Sequence, residues 1–222
     1  PKRPANRSPM MHPRLKRQLM LSRKWLRHQL HPADQQQTVI VAGSQRSGTN
    51  MLMDILERNS ATDVFHERDH RAYDDYIMRE LPVILRLHDR SRAPFFVIKA
   101  LCELHRLEEL MEALAPARVL WVYRAWPDVV NSMVRSFTDF GHHLQCIARD
   151  RSSAGWRGLG MTDATHGIVR EVAALGPDEI SAAAAQWFYR NSLYFELGYD
   201  QDPRVQLLSY ERLVTDTAAV VP

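Results

Sequence analysis

The chain has 222 residues and a formal net charge of +3, and 45% of its residues are hydrophobic and 25% charged, which is typical of a globular domain with a substantial core. No run approaches the roughly 18 apolar residues of a membrane-spanning helix, so we expect no such helix. The two cysteines, Cys102 and Cys146, are too few for a disulfide framework or a cysteine metal cluster, so we expect a reducing, cytoplasmic compartment.

The positive charge is concentrated at the start of the chain. Residues 1–37 carry nine Lys or Arg and one acid (+8), whereas residues 38–222 carry twenty Lys or Arg and 25 acids (−5), which together give +3. Four leucines of the basic segment fall near one helical face, namely Leu15, Leu19, Leu26 and Leu30. This pattern fits docking to a membrane surface or nucleic acid, or else a solvated extension or a helix packed on its own domain. We prefer a solvated extension or a helix packed on its own domain. Peripheral membrane contact stays open, and we expect no nucleic-acid partner.

From Thr38 onward, short apolar runs alternate with helical stretches. Three runs are continuously apolar and rich in β-branched or aromatic residues, as buried strands are: TVIVA (38–42), FFVIKA (95–100) and ARVLWVYR (117–124). RVQLLSY (204–210) is a fourth, more peripheral candidate. The helical stretches are MLMDILERN (51–59), LHRLEELMEALAP (104–116), PDVVNSMVRSF (127–137) and EISAAAAQWFYRNSLYFELG (179–198).

This alternation predicts the fold class. Strands separated by helices of this length are joined by parallel crossovers, so we expect an α/β three-layer sandwich with a central parallel sheet. We place the domain at residues 38–222, after a basic N-terminal extension of residues 1–37. The segment 150–178 is interpreted as a surface excursion.

The loop GSQRSGTN (43–50) follows the first predicted strand and precedes a helix. Such a loop directs backbone N–H groups and the positive end of the helix dipole at one point, which suits an oxyanion. A nucleoside-triphosphate loop would have Lys at position 49 and Ser or Thr at position 50, where this chain has Thr49 and Asn50. The next strands end in Lys99 and Arg124 rather than in a magnesium-binding aspartate. These features indicate a metal-free anionic cofactor.

Two motifs together resemble one family. SQRSGTNML resembles the 5′-phosphosulfate loop of sulfotransferases that use 3′-phosphoadenosine 5′-phosphosulfate (PAPS), especially the arginine-bearing version of the carbohydrate, tyrosylprotein and bacterial branches. VLWVYRAWPDVVNSM resembles the family's 3′-phosphate motif, in which Ser132 follows Arg124 by eight residues. LLSYERL, which contains Tyr210, is similar to the family's Y-E-D-L segment. Asn50 departs from the usual Thr or Ser.

The resemblance covers roughly residues 38 to 216 and implies a fold like that of the P-loop nucleoside triphosphate hydrolases. It implies an enzyme that moves a sulfuryl group from PAPS to a hydroxyl of a carbohydrate, glycolipid or other natural product, and that requires no metal. Many members continue past the position of Pro222 into a basic stretch, so we expect a truncated C-terminal end. The implied cofactor-binding residues are Arg46, Ser47, Gly48, Thr49, Asn50, Arg124, Ser132 and Tyr210.

Three residues are predicted to be catalytic. Arg46 is the cation for the leaving phosphate. Lys99 is the only lysine after Lys24 and ends a buried strand, on the side of the sheet where α/β proteins bind ligands. The resemblance assigns the proton-accepting role to Glu67, and His66 or His70 is the alternative base.

Two other functions remain open at this point. One is a P-loop kinase or nucleoside triphosphatase with a degenerate loop, which would bind its nucleotide with magnesium. The other is a non-catalytic protein that docks through its basic tail. The second would lose its binding activity without residues 1–37, whereas a sulfotransferase domain would still bind its nucleotide.

Overall fold

A parallel sheet organises the chain in the computed structural model, which describes residues 12–217. The strands of that range are β1 (Gln37–Gly43), β2 (Thr62–Phe65), β3 (Tyr73–Asp74), β4 (Ile77–Met78), β5 (Phe95–Ala100), β6 (Ala117–Tyr123) and β7 (Val205–Ser209). Five of them form one all-parallel sheet in the order β2-β5-β1-β6-β7, and β3 and β4 form an antiparallel hairpin. The predicted strands are confirmed, with β7 at an edge, and β2 is an edge strand that was not predicted.

Helices cover both faces of this sheet. They are α1 (Pro13–Leu30), α2 (Thr49–Arg58), α3 (Leu81–Arg90), α4 (Leu107–Ala113), α5 (Trp126–Ser136), α6 (Phe140–Arg149), α7 (Asp163–Ala174), α8 (Glu179–Glu196) and α9 (Tyr210–Thr215). None of these combines the length and apolar character that crossing a membrane requires. The first eleven residues of the predicted extension and the last five of the predicted domain lie outside the described residues.

The alternation of side chains along the strands creates two hydrophobic cores. In β1, Ile40 and Ala42 face the larger core, which contains buried residues of α3 to α8. Val41 faces the smaller core, which α2 and α9 cover with residues such as Leu52 and Leu213. The predicted α/β class with a central parallel sheet flanked by helices is therefore confirmed.

The segment 150–178 is part of the domain body, so its interpretation as a surface excursion is wrong. It contains a 3-10 turn at Gly155–Gly158 and then α7. Met161, Val169 and Ala173 are buried in the larger core. Val169 and Ala173 are four positions apart and share one helical face, a pattern that is easily overlooked in a sequence with so many polar residues.

The helix α1 packs on the domain through its polar face. Two guanidinium nitrogens of Arg17 donate to the Glu57 carboxylate, at 2.7 and 2.6 Å. The ammonium of Lys24 is buried and donates to the carbonyl oxygen of Glu57 at 2.7 Å and to Thr62 Oγ1 at 3.0 Å. His28 is buried as well, with Nε2 2.9 Å from the Ser60 carbonyl oxygen. Residues 12–31 therefore lie against the end of α2 and the edge strand β2.

The Arg17–Glu57 contact predicts an acid-sensitive contribution to stability. Burial raises the pKa of Glu57, but hydrogen bonds from His66 and Arg17 outweigh burial and lower that pKa to about 2. The contribution is therefore complete above the ordinary value of 4.5 and is lost as the pH falls toward 2. We expect Glu57→Gln to lower the free energy of unfolding by about 2 kcal/mol at pH 7 in urea titrations, and by less at pH 3.

The control for this prediction is Glu112→Gln, because Glu112 is exposed on another face of the domain. It should change the unfolding free energy by less than about 0.5 kcal/mol at either pH. If Glu57→Gln were equally destabilising at pH 7 and pH 3, the charge of the carboxylate would not be what stabilises its contacts with Arg17 and His66.

Candidate functional site

The anion loop occupies the turn between β1 and α2. Two glycines allow its path, because Gly43 has φ 137° and Gly48 has φ 100°, where other residues are strained. A Cβ on Gly43 would lie 2.4 Å from the Val122 carbonyl oxygen, and one on Gly48 would lie 2.2 Å from the Tyr210 ring. The loop is thus held tightly between β6 and α9. Arg46 lies between these glycines with φ 66° and is the loop's exposed cation.

The interior of the loop is polar and buried. Ser47 is fully buried, and its hydroxyl donates to the Ser44 carbonyl oxygen. The Thr49 side chain is also buried. Gly48 caps α2 without a side-chain hydrogen bond, so the N–H groups of the first turn of α2 have no side-chain acceptor there. This arrangement leaves donors available for an oxyanion.

The two sequence motifs, which are widely separated along the chain, meet in space. Arg46 Nε donates to Ser132 Oγ at 2.8 Å. Arg124 Nη1 lies 3.4 Å from the Arg46 carbonyl oxygen, and the Arg124 Nε is buried without a hydrogen-bond partner. Asp128 approaches the other nitrogen of Arg124 only to 3.7 Å. Two guanidinium groups and one hydroxyl therefore converge with unused donor capacity.

The third motif supports this pair. The guanidinium carbon of Arg124 lies 4.4 Å from the centre of the Tyr210 ring, whose edge also touches Gly48. Glu211 accepts a hydrogen bond from the Ala125 N–H at 3.1 Å. Helix α9 thus joins the anion loop to the turn after β6. A cation over an aromatic face is stabilised electrostatically and held in a defined plane.

Lys99 and Glu67 form the second half of the site. Lys99 is 2% exposed, and its Nζ donates to Glu67 Oε2 at 2.5 Å and to Asn50 Oδ1 at 2.8 Å. Burial lowers the pKa of Lys99, while the charge of Glu67 and its hydrogen bond oppose this effect. The carboxyl ends of β2, β5, β1 and β6 therefore lie together and carry, in that order, Glu67, Lys99, the anion loop and Arg124. Parallel α/β sheets bind their ligands at the carboxyl ends of their strands.

Tyr73 is a supporting residue that sequence reasoning missed. Its hydroxyl accepts from the Lys99 N–H at 2.9 Å and donates to the Lys99 carbonyl oxygen at 2.5 Å. Full burial raises the pKa of Tyr73 well above its ordinary value, so the phenol stays protonated and keeps both bonds. The tyrosine fixes the end of β5 from the β3–β4 hairpin. Only the three-dimensional contact between that hairpin and β5 shows this role.

A cavity of about 970 Å³ opens over these groups. The predicted site residues that line it are Arg46, Gly48, Thr49, Asn50, Glu67, Lys99, Arg124, Ser132 and Tyr210. Ser47 is not among the lining residues, because its side chain lies inside the loop. The other lining residues include Arg68, Tyr76, Phe137, Trp156 and Arg157, none of which was singled out individually from the sequence. His142 and His143 also line the cavity.

The alternative bases are positioned differently. His66 Nε2 lies 3.1 Å from Glu57 Oε1, on the side toward α1, and does not line the cavity. His70 is exposed and does not line it either. Of the three candidates, Glu67 alone borders the cavity. Within residues 12–217, no group of three or more His, Cys, Asp or Glu side chains is arranged to hold a metal ion.

Comparison with known proteins adds no assignment to this geometry. No protein-family model matches the chain, and no curated protein matches its sequence. The chemistry of the site therefore has to be inferred from its own residues.

Proposed function

We propose that the protein is a sulfotransferase of the P-loop-like fold, which moves a sulfuryl group from PAPS to an acceptor hydroxyl. The observation that carries the proposal is the convergence of Arg46, Arg124 and Ser132 in the cavity that also contains the Lys99–Glu67 ion pair. The start of α2 offers one place for an anionic group, and Arg124 and Ser132 offer another, with Arg46 in contact with Ser132. Two such places suit a nucleotide that bears a 5′-phosphosulfate and a 3′-phosphate.

The residues fit this nucleotide in charge and in hydrogen-bonding capacity. The uncapped start of α2 and the Arg46 guanidinium would hold the 5′-phosphosulfate. Arg124 and Ser132 would hold the 3′-phosphate, because both line the cavity and both carry hydrogen-bond donors. The Tyr210 ring supports the Arg124 guanidinium. The remaining loop residues Ser47, Gly48, Thr49 and Asn50 supply backbone N–H groups and the shape of the cradle.

Each catalytic residue then has one task. When bound, the nucleotide supplies an electrophilic sulfuryl group and a phosphate as the leaving group. Glu67 accepts the proton of the acceptor hydroxyl. Lys99 and Arg46 stabilise the negative charge that develops on the transferred group and on the leaving phosphate.

The acceptor proposed here is a hydroxyl of a carbohydrate, glycolipid or other natural product. A cavity of about 970 Å³ is at the upper end of the usual range for a drug-sized ligand, which leaves room for a nucleotide and part of an acceptor. Three aromatic side chains from outside the three motifs, Tyr76, Phe137 and Trp156, also line it. Aromatic faces of this kind suit the apolar faces of sugar rings or other cyclic acceptors.

The proposal predicts metal-independent binding of the product 3′-phosphoadenosine 5′-phosphate. Calorimetry with and without Mg²⁺ should give the same affinity within about twofold. Arg124→Ala should weaken binding by about tenfold to hundredfold, the loss expected for a charge-assisted contact. Arg118→Ala is the matched control, because Arg118 is exposed at the opposite end of the same strand. It should leave the affinity unchanged.

Two results would contradict the proposal. Absence of binding by the folded chain would leave no cofactor for the reaction and would favour a non-catalytic binding protein. Binding of ATP or GTP that requires Mg²⁺ would instead favour a P-loop kinase or nucleoside triphosphatase.

A further inference from the structure

The outward face of α1 presents apolar side chains near both ends of the helix. Its four leucines, predicted to share one face, are all exposed: Leu15 by 47%, Leu19 by 42%, Leu26 by 52% and Leu30 by 66%. Trp25, at 63%, is exposed beside them. The helix has 18 residues and is about 27 Å long at 1.5 Å per residue. Four exposed leucines on one face of a helix that is already docked require an explanation, because single exposed leucines are common but such groups are not.

The four leucines are exposed because the opposite face of α1 holds the helix to the domain. Arg17, Lys24 and His28 point inward and bind Glu57, Thr62 and Ser60, as described above. An amphipathic helix that packs for its own stability usually buries its apolar side. Here the polar residues Lys24 and His28 are buried against the domain, so the four leucines are free for another contact.

A basic groove of about 400 Å³ runs beside the leucines. Its lining includes the cations Lys16, Arg23, Arg27 and Arg58, together with the buried Lys24. None of the first four forms an ion pair with a carboxylate in the described part of the chain, and Arg27 donates to Ser60 Oγ at 2.8 Å. The sequence of α1 contains six Lys or Arg and no acid.

The neighbouring carboxylates belong to the inward side. Glu57 binds Arg17, and Asp54 acts on Arg17 through its charge. Asp63 acts on the buried Lys24. The outward surface of α1 thus combines apolar side chains with unneutralised positive charge.

From this surface we propose that α1 docks the protein on an anionic membrane. Leucines and a tryptophan flanked by Lys and Arg are what a helix in the plane of a bilayer surface presents to acyl chains and anionic headgroups. A second copy of the chain fits poorly, because a two-fold contact would bring the same cations of both copies together. Nucleic acid would use the cations and leave the leucines exposed to water.

Vesicle sedimentation with the full chain tests this proposal. Vesicles in which phosphatidylglycerol makes up about a third of the lipid and phosphatidylcholine the rest should pellet the wild type at about 0.1 M NaCl. Vesicles of phosphatidylcholine alone should pellet at least tenfold less of it. Leu19→Glu with Leu26→Glu should weaken binding at least tenfold, because it places charge among the exposed leucines. Arg23→Glu should also weaken binding about tenfold and reduce its salt dependence.

The controls are Arg170→Glu, which changes an exposed arginine on α7, and Leu175→Glu, which changes the exposed leucine just after α7. Both should bind vesicles like the wild type. Equal binding by all variants, or no binding by the wild type, would overturn the proposal. So would a dimer that the α1 variants dissociate in sedimentation velocity, or binding to duplex DNA that Arg23→Glu removes and the leucine variant does not. None of these outcomes depends on the proposed sulfuryl transfer.

Discussion

Glu67→Gln is expected to lower the rate of sulfuryl transfer by a factor on the order of 10² to 10⁴, the usual contribution of a general base. Glutamine keeps the size of the side chain and an oxygen that can accept from Lys99 Nζ, now 2.5 Å from the carboxylate. It cannot take up a proton from the acceptor hydroxyl. The rate can be measured as formation of 3′-phosphoadenosine 5′-phosphate from PAPS, both with a panel of sugars and glycolipids and with water as the acceptor.

The structure offers matched controls for this variant. His66→Ala and His70→Ala remove the alternative bases, neither of which lines the cavity, and should keep at least a third of the wild-type rate. The affinity of Glu67→Gln for 3′-phosphoadenosine 5′-phosphate should stay within about threefold of the wild type, since Arg124 and Ser132 are unchanged. Full activity of Glu67→Gln together with loss of activity in a histidine variant would place the base elsewhere.

The Glu67 result also has to be separated from an effect on Lys99. Lys99 is almost fully buried, and an ionised ammonium in such a place needs partners. In Glu67→Gln the contact with Asn50 Oδ1 at 2.8 Å remains. A thermal midpoint close to that of the wild type would show that the lysine is still accommodated, and the lost rate would then belong to proton transfer.

The site could be predicted where its residues are attached to buried strands. β1, β5 and β6 are continuous apolar runs, so their ends are recognisable in the sequence. The residues that follow or close them, Arg46, Lys99 and Arg124, must then lie along one edge of a parallel sheet. Arg46 Nε donates to Ser132 Oγ, so the anion loop reaches the helix that follows β6.

Other parts of the site depend on contacts that no local pattern encodes. β2 has only four residues, one of them Asp63, which is too short and polar for a periodicity argument. Tyr73 reaches Lys99 from a strand of only two residues. Trp156 and Arg157 come from a 3-10 turn in the segment 150–178, which was interpreted from the sequence as a surface excursion. Their position in the cavity is fixed by packing against α8.

The orientation of α1 was not predictable for a similar reason. The leucine spacing defines an apolar face, and an apolar face normally packs inward. The face of α1 that turns toward the domain is decided instead by acceptors far away in the sequence. These are the Glu57 carbonyl oxygen and Thr62 Oγ1, which accept hydrogen bonds from Lys24. Burial lowers the pKa of Lys24, and its two hydrogen-bond acceptors offset part of the cost of removing the ammonium from water.

Arg190 holds the far wall of the cavity in place. It is 2% exposed, and its guanidinium donates to the carbonyl oxygens of Leu101 and Trp156, both at 3.0 Å. Its guanidinium carbon also lies 4.9 Å from the centre of the Trp156 ring. Burial lowers the pKa of Arg190 to about 10, so it stays charged at neutral pH. One side chain of α8 thus joins the end of β5 to the 3-10 turn that carries Trp156 and Arg157.

We expect Arg190→Lys to lower the free energy of unfolding by about 3 kcal/mol, and so the thermal midpoint by roughly 6 to 12 °C. Lysine keeps the charge and its burial, but a single ammonium does not reproduce the fork that bridges two chain segments, nor its stacking on Trp156. At least one buried carbonyl oxygen would lose its donor. Urea titration and calorimetric melting measure the effect.

Arg135→Lys is the control, because Arg135 is exposed on α5, and it should change the free energy of unfolding by less than about 0.5 kcal/mol. In Arg190→Lys the affinity for 3′-phosphoadenosine 5′-phosphate should persist, since Arg124 and Ser132 contact neither Arg190 nor the 3-10 turn. A stability equal to that of the wild type would mean that charge alone, rather than the planar fork, joins β5 to the turn. In that case Trp156 and Arg157 would owe their positions in the cavity to apolar packing.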